Sequence, residues 1–187
     1  AYDLILSNDG GYIITGQYHA QHPDALILKI DGQGNLENKY NISTAPPSQR
    51  IIESGKSILT FNDNYIILGS ISQSSADGPS NVWLSEYDIS LNDVGDTLWS
   101  KTWNLNTYDV PEKIIQISDG SFAFAGYSLN NSGELEFSWI INTDNNGNEL
   151  SSIILTGGGY IYDFFENIDG NYIVAGKKLI GDKFQAW

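Results

Sequence analysis

An all-β fold built from four tandem copies of one four-stranded unit is what this 187-residue sequence predicts, and three observations predict it. The first is a string that recurs four times, as Asp9 to Gly16, Asn62 to Gly69, Asp119 to Gly126 and Asp169 to Gly176. The closing glycines stand 53, 57 and 50 residues apart, a spacing that marks repeat architectures. The second is a strand-like run after each of the first three strings, at 25–31, 82–88 and 138–144, which aligns without a gap. The third is the absence of any useful length of chain with apolar residues three and four apart, the period of a helix.

Each string opens on a turn pair, Asp-Gly or its relative Asn-Asp, and continues through an aromatic residue into an apolar run closed by glycine. That is how a tight hairpin feeding a buried strand is written, because the turn needs positive φ and Gly, Asn and Asp tolerate it. A strand precedes each turn: Tyr2 to Leu6, Ser57 to Leu59, Ile114 to Ile117 and Tyr162 to Phe165. Copies one and four share Tyr-Asp seven residues ahead of the Asp of the turn, as Tyr2-Asp3 and Tyr162-Asp163. After a variable loop comes the third strand, with Trp83 and Trp139 in register. A fourth follows a Gly-bearing turn at Gly34, Gly95 and Gly147.

Four short antiparallel strands per copy, copies in tandem, describe the blades of a β-propeller, in which neighbouring sheets bury each other's faces around a common axis. The expected blades are 1–50, 51–109, 110–159 and 160–187. The recurring aromatics Trp83, Trp139, Tyr12, Tyr65, Phe122 and Tyr172 are assigned to packing between blades in preference to sugar stacking. The whole pattern resembles the tandem propeller repeats of secreted and surface-anchored bacterial proteins. It is also similar in strand order to kelch-type blades, without their paired glycines. The resemblance covers essentially the whole chain and implies architecture and an extracellular or cell-surface location. The pattern departs at Glu37, which stands where copy two has Trp99.

The sequence stops at Trp187, in register with Trp83 and Trp139 and so inside the third strand of copy four. The expectation is an incomplete propeller, its last blade truncated and completed by further parent sequence or by another chain. Four blades closing on themselves is the alternative. The start at Ala1 and the absence of Met add the expectation of a processed or excised chain.

Composition narrows the partners. With 23 acidic against 9 basic residues the formal charge is -14, so the summed field repels phosphate backbones and anionic lipids. Nucleic acid is excluded as an expected partner. Membrane insertion is excluded too, since no apolar run approaches the roughly 20 residues a spanning helix needs. No cysteine is present, which removes disulfides, thiol catalysis and thiolate metal sites.

Few segments look chemical. His19 and His22 with Asp24 carry metal-ligating groups, yet the matching loops 70–81, 127–137 and 177–183 hold no His. A polar loop is the preferred reading, with a metal the weaker one. Asp31 to Asn35 and Asp144 to Asn148 have the oxygens of a calcium loop, but their glycine falls at position 4 where an EF-hand has it at 6. They are read as hairpin turns, with weak calcium binding as the remaining cofactor. Glu134 with Glu136, and Asp109 with Glu112, are read as loop carboxylates on a solvated rim. No nucleophile elbow or phosphate-cradling loop occurs.

No catalytic residue and no cofactor-binding residue is therefore assigned. The expected function is a non-catalytic extracellular scaffold or binding module that presents loops on a rigid rim, with His19, Tyr127, Glu134 and Glu136 as rim residues. Its partner is a protein or a glycan, and a place in a surface assembly is a further expectation. The alternative is a propeller enzyme acting on polysaccharide from its axial funnel, which requires acidic or His side chains to converge there.

Overall fold

The structure, a computed structural model, describes residues 1–19, 23–42, 51–73, 79–88 and 97–187. It is all β, with no helix among the described residues. Unit 1 is β1 (Asp3–Leu6), β2 (Tyr12–Tyr18), β3 (Asp24–Ile30) and β4 (Leu36–Ile42). Unit 2 is β5 (Ile51–Phe61), β6 (Asn64–Gln73), β7 (Ser80–Asp88) and β8 (Thr97–Trp103). Unit 3 is β9 (Tyr108–Gln116), β10 (Phe122–Leu129), β11 (Leu135–Thr143) and β12 (Glu149–Thr156). Unit 4 is β13 (Tyr160–Glu166), β14 (Tyr172–Ile180) and β15 (Lys183–Ala186). Within a unit each strand pairs antiparallel with the next. Units 2 and 3 are joined by a single parallel bridge, Ser80 to Tyr108.

Strand pairing explains the repeat string. Its closing glycine faces the third-strand tryptophan directly, Gly69 against Trp83 and Gly126 against Trp139. A Cβ on Gly126 would run into the Val110 carbonyl oxygen of the first strand and stand 2.7 Å from the Trp139 ring. Glycine is there because the first-strand carbonyl and the indole leave no room for a side chain. In unit 4 the backbone of Trp187 pairs with Gly176 in both directions, at 2.8 and 3.0 Å, so the expected register holds to the last residue.

Several boundaries differ from expectation, each for a local reason. The hairpins joining second and third strands are longer than the sequence suggests. Tyr127 lies within β10 and Glu136 within β11, where both were expected in a loop. Asp109 and Glu112, also expected in a loop, sit on β9. Pro111 hides that strand, and is accommodated because β9 is fully paired on one side only. Glu37 does not occupy the place of Trp99: the partner of Lys29 is Asn38, as the partner of Glu86 is Trp99. Both fourth strands carry a bulge at the same point, so counting four residues on from Gly34 and from Gly95 reaches Asn38 and Trp99.

The units pack face on face. Ile5 and Ile13 of unit 1 meet Ile58 and Ile67 of unit 2 in one core. Leu59 and Ile66 of unit 2 meet Ile114 and Phe124 of unit 3 in the next. Ile115 and Ala123 of unit 3 meet Phe164 and Val174 of unit 4 in the last. These twelve residues form six cross-strand pairs between first and second strands. The sheet faces that a lone meander leaves wet are thus buried by the neighbouring unit.

Candidate functional site

The first strands of all four units line one cavity of about 270 Å³, walled by Tyr2, Asp3, Lys56, Glu112, Lys113, Tyr162 and Asp163. A β-bulge brings these side chains there. Pairing of first with second strands skips Lys56 in β5, Glu112 in β9 and Tyr162 in β13. An unpaired extra residue re-aims its side chain, and the three skipped residues occupy equivalent positions beside the recurring glycine. Tyr2 is their counterpart in unit 1. The residue that follows each is Asp3, Ser57, Lys113 or Asp163.

Asp3 is the hub. Its Oδ2 accepts hydrogen bonds from the Ser57 hydroxyl at 2.7 Å, the Ile58 N–H at 3.2 Å and the Lys113 ammonium at 3.2 Å. Unit 1 is thereby tied to units 2 and 3 through one carboxylate oxygen, a charge-assisted arrangement stronger than neutral hydrogen bonding. On its other side Lys56 holds its ammonium 4.1 Å from the Tyr2 ring centroid, a cation–π contact.

Glu112 is a half-buried carboxyl on the cavity wall. Burial raises its pKa, while the Lys56 charge and a hydrogen bond with the Tyr127 hydroxyl pull it back. The Tyr127 hydroxyl in turn is pushed above its usual range by burial and then by the nearby Glu112 charge. Its ring packs edge-on against Tyr160, centroids 4.9 Å apart, and against Tyr162 at 6.5 Å. Lys177 lies 4.7 Å from the Tyr160 centroid and 4.6 Å from that of Phe184. An aromatic cluster with one ammonium therefore adjoins the charged cavity.

The Glu112 shift carries a pH signature. A carboxyl whose folded pKa is raised contributes stability that is fully present below its unfolded pKa, 4.5, and lost as pH rises through the folded value. Glu112→Gln removes that loss. Thermal midpoints measured from pH 4 to 8 are expected to coincide for variant and parent at the acid end, with the variant the more stable at pH 8. Parallel curves would place Glu112 in water.

The residues singled out from sequence fall elsewhere. His19 is exposed just past β2, and Asp24 opens β3. His22 lies outside the described residues. Glu134 is an exposed turn residue whose N–H donates to Asn130 at 3.0 Å, and Glu136 accepts from Asn106 at 2.5 Å. Of the rim residues only Tyr127 touches the cavity wall, through Glu112. Asp109 is fully buried and accepts from Ser128 at 2.6 Å and Leu105 N–H at 2.8 Å, a structural strut. In the two calcium-like loops the Asp oxygens are turned inward. Asp144 accepts from the N–H groups of Asn146 and Asn148 and from the Asn148 amide, and Asp31 does the same with Gln33 and Asn35. These hydrogen bonds lower both pKa values. Among the described residues no three His, Cys, Asp or Glu side chains are grouped to hold a metal.

The sequence did hold a signal for the cavity, the Tyr-Asp pair shared by copies one and four. Counting seven residues back from the turn also finds Glu112-Lys113, but misplaces unit 2 by one. The turn there is shorter: Phe61 pairs with Asn64 around Asn62 and Asp63, both at positive φ, where unit 1 spends five residues between Leu6 and Tyr12.

Fold and cavity together define an antiparallel β-repeat protein whose equivalent strands converge on a mixed-charge pocket. No protein-family model matches the chain, and no curated protein matches it either.

Proposed function

We propose that the four units are blades of a β-propeller, in part or whole, and that the chain is a non-catalytic binding module working outside the cell or at its surface. One observation carries the reading: equivalent bulges in successive first strands aim Lys56, Glu112 and Tyr162 into a shared cavity. A common pivot for the first strands is what a propeller requires. Charges of both signs beside an aromatic cluster suit a polar partner, a protein loop or a glycan, and the acidic surface disfavours nucleic acid. The test uses immobilised glycan and peptide arrays as probes. The triple variant Lys56→Ala, Glu112→Gln, Tyr162→Ala is expected to lose at least about tenfold in binding at a temperature where its β-sheet circular dichroism matches the parent's. Undiminished binding by the triple variant contradicts the cavity assignment.

A second reading, a polysaccharide-acting propeller enzyme, draws on the three carboxylates Asp3, Glu112 and Asp163 at one cavity, one of them with a raised pKa. Glycoside hydrolysis pairs a protonated acid with an ionised carboxylate. Asp3 is already engaged by three donors, which favours the binding reading. Release of reducing ends from a polysaccharide panel, abolished by Glu112→Gln, would replace it.

A further inference from the structure

We infer that a cavity at the boundary between units 1 and 2 is a binding site for a small uncharged aromatic compound of the phenol or indole class. The inference goes beyond the reading above. This cavity shares no lining residue with the one at the first strands, and it lies inside the stack, between two neighbouring units.

Strand register makes the three unit boundaries comparable position by position. The third-strand residues Lys29, Glu86 and Asn142 are equivalent, each paired with the residue after the repeat aromatic, which is Ile13, Ile66 or Ala123. Their fourth-strand partners Asn38, Trp99 and Ser151 are equivalent in turn. So are Ser7, Phe61 and Ile117, which follow the first-strand partners of the repeat aromatics.

Two boundaries close this place and one leaves it open. Between units 2 and 3, Trp99 donates from Nε1 to Glu86 at 2.6 Å and lays its ring against Gly147 of unit 3. Phe61 packs edge-on against Phe122 beside it, centroids 5.0 Å apart. Between units 3 and 4, the Tyr172 hydroxyl donates to Asn142 at 2.7 Å and the Asn142 amide donates to Ser151 at 2.9 Å. Between units 1 and 2, Ser7 and Asn38 stand where unit 2 has its two rings, and both line a cavity of about 340 Å³. That volume is within the range of small-molecule pockets.

The lining sets the chemistry of the occupant. Buried Ile13 and Ile27, with Tyr40 and Tyr65, offer apolar surface to a flat ring, as the next boundary does to the indole of Trp99. At the rim Lys29 pairs with Asp9 and, at 3.1 Å, with Glu37. One ammonium faces two carboxylates there, so the local charge is negative and an anionic ligand is disfavoured. Asp9 and Asn38 supply acceptors for a hydroxyl or ring N–H.

The probes are indole, phenol, benzoate and methyl glucoside, titrated into the full chain and followed by ligand-observed NMR. Indole and phenol are expected to bind with dissociation constants on the order of 1 mM or below, and benzoate at least about tenfold more weakly than phenol. Asn38→Trp, at an exposed position, restores the ring of unit 2 and is expected to bind indole at least about tenfold more weakly than the parent. Should that variant lose its β-sheet circular dichroism, Ser7→Phe, which restores the counterpart of Phe61, replaces it. The triple variant at Lys56, Glu112 and Tyr162 is expected to bind indole like the parent, which separates this site from the first-strand cavity. A parent that binds neither indole nor phenol overturns the inference, as does undiminished indole binding by the refilled variant. Equal affinity for benzoate and phenol, a preference for methyl glucoside, or loss of indole binding in the triple variant overturns it too.

Discussion

Replacing Trp139 by alanine is expected to cost about 3–5 kcal/mol of stability, the range for truncating a buried tryptophan. Its indole is fully buried and packs edge-on against Phe124, centroids 6.1 Å apart. Its Nε1 donates to the Ser128 hydroxyl at 3.0 Å, and Ser128 donates to the buried Asp109 at 2.6 Å. Truncation therefore opens a cavity and removes one end of a buried chain of hydrogen bonds, leaving Ser128 with an unused acceptor site. For a domain with a net stability of about 5–15 kcal/mol, that is a large fraction. Urea unfolding reads it as a lowered midpoint at unchanged slope. Trp139→Phe, which keeps most of the volume, is expected to lose clearly less. Equal losses for the two variants would mean that the hydrogen bond, and not the packing, dominates.

The second large effect is at the glycine under that ring. Gly126→Ala places a methyl group against the Val110 carbonyl and the Trp139 ring. The carbonyl belongs to the paired first strand and cannot swing away, so overpacking of about 1–3 kcal/mol is expected, with more if the pairing breaks. Gly69→Ala meets the Ser54 carbonyl and the Trp83 ring at 2.6 Å and should behave alike. Gly16 provides an internal comparison. Leu26 faces it in place of a tryptophan, and the nearest atoms to an added Cβ belong to Ala1, from 3.0 Å outward. Gly16→Ala is expected to cost least of the three. Thermal midpoints in that order support the account of the repeat string, and a Gly16 variant as damaged as the other two speaks against it.

These two sites explain why the fold was legible in the sequence and the cavity was not. The string from turn to glycine is dictated by local chemistry. Gly120 at φ +88 and Gly170 at φ +78 close turns that disfavour side chains, and a first-strand carbonyl oxygen leaves no room for a side chain at Gly69, Gly126 or Gly176. Such constraints recur in most of the copies and survive as a readable period. The cavity residues obey no shared chemical rule. Tyr2, Lys56, Glu112 and Tyr162 are equivalent in position and unlike in kind, so only the pairing pattern reveals them as a set. Charged and polar residues such as Lys56 and Glu112 on a first strand also read as loop, as does a strand containing Pro111. The rim residues His19 and Glu134 were conspicuous in the sequence because they are polar and exposed, which describes most turns.

The first strands of the four units meet around one pocket. The absence of cysteine allows this to be measured cleanly, with spin labels on Lys56→Cys and Tyr162→Cys, two cavity residues more than a hundred positions apart in sequence. Mutual broadening of the doubly labelled spectrum, absent from either single label, is the predicted result. A doubly labelled spectrum equal to the sum of the two singles would contradict it.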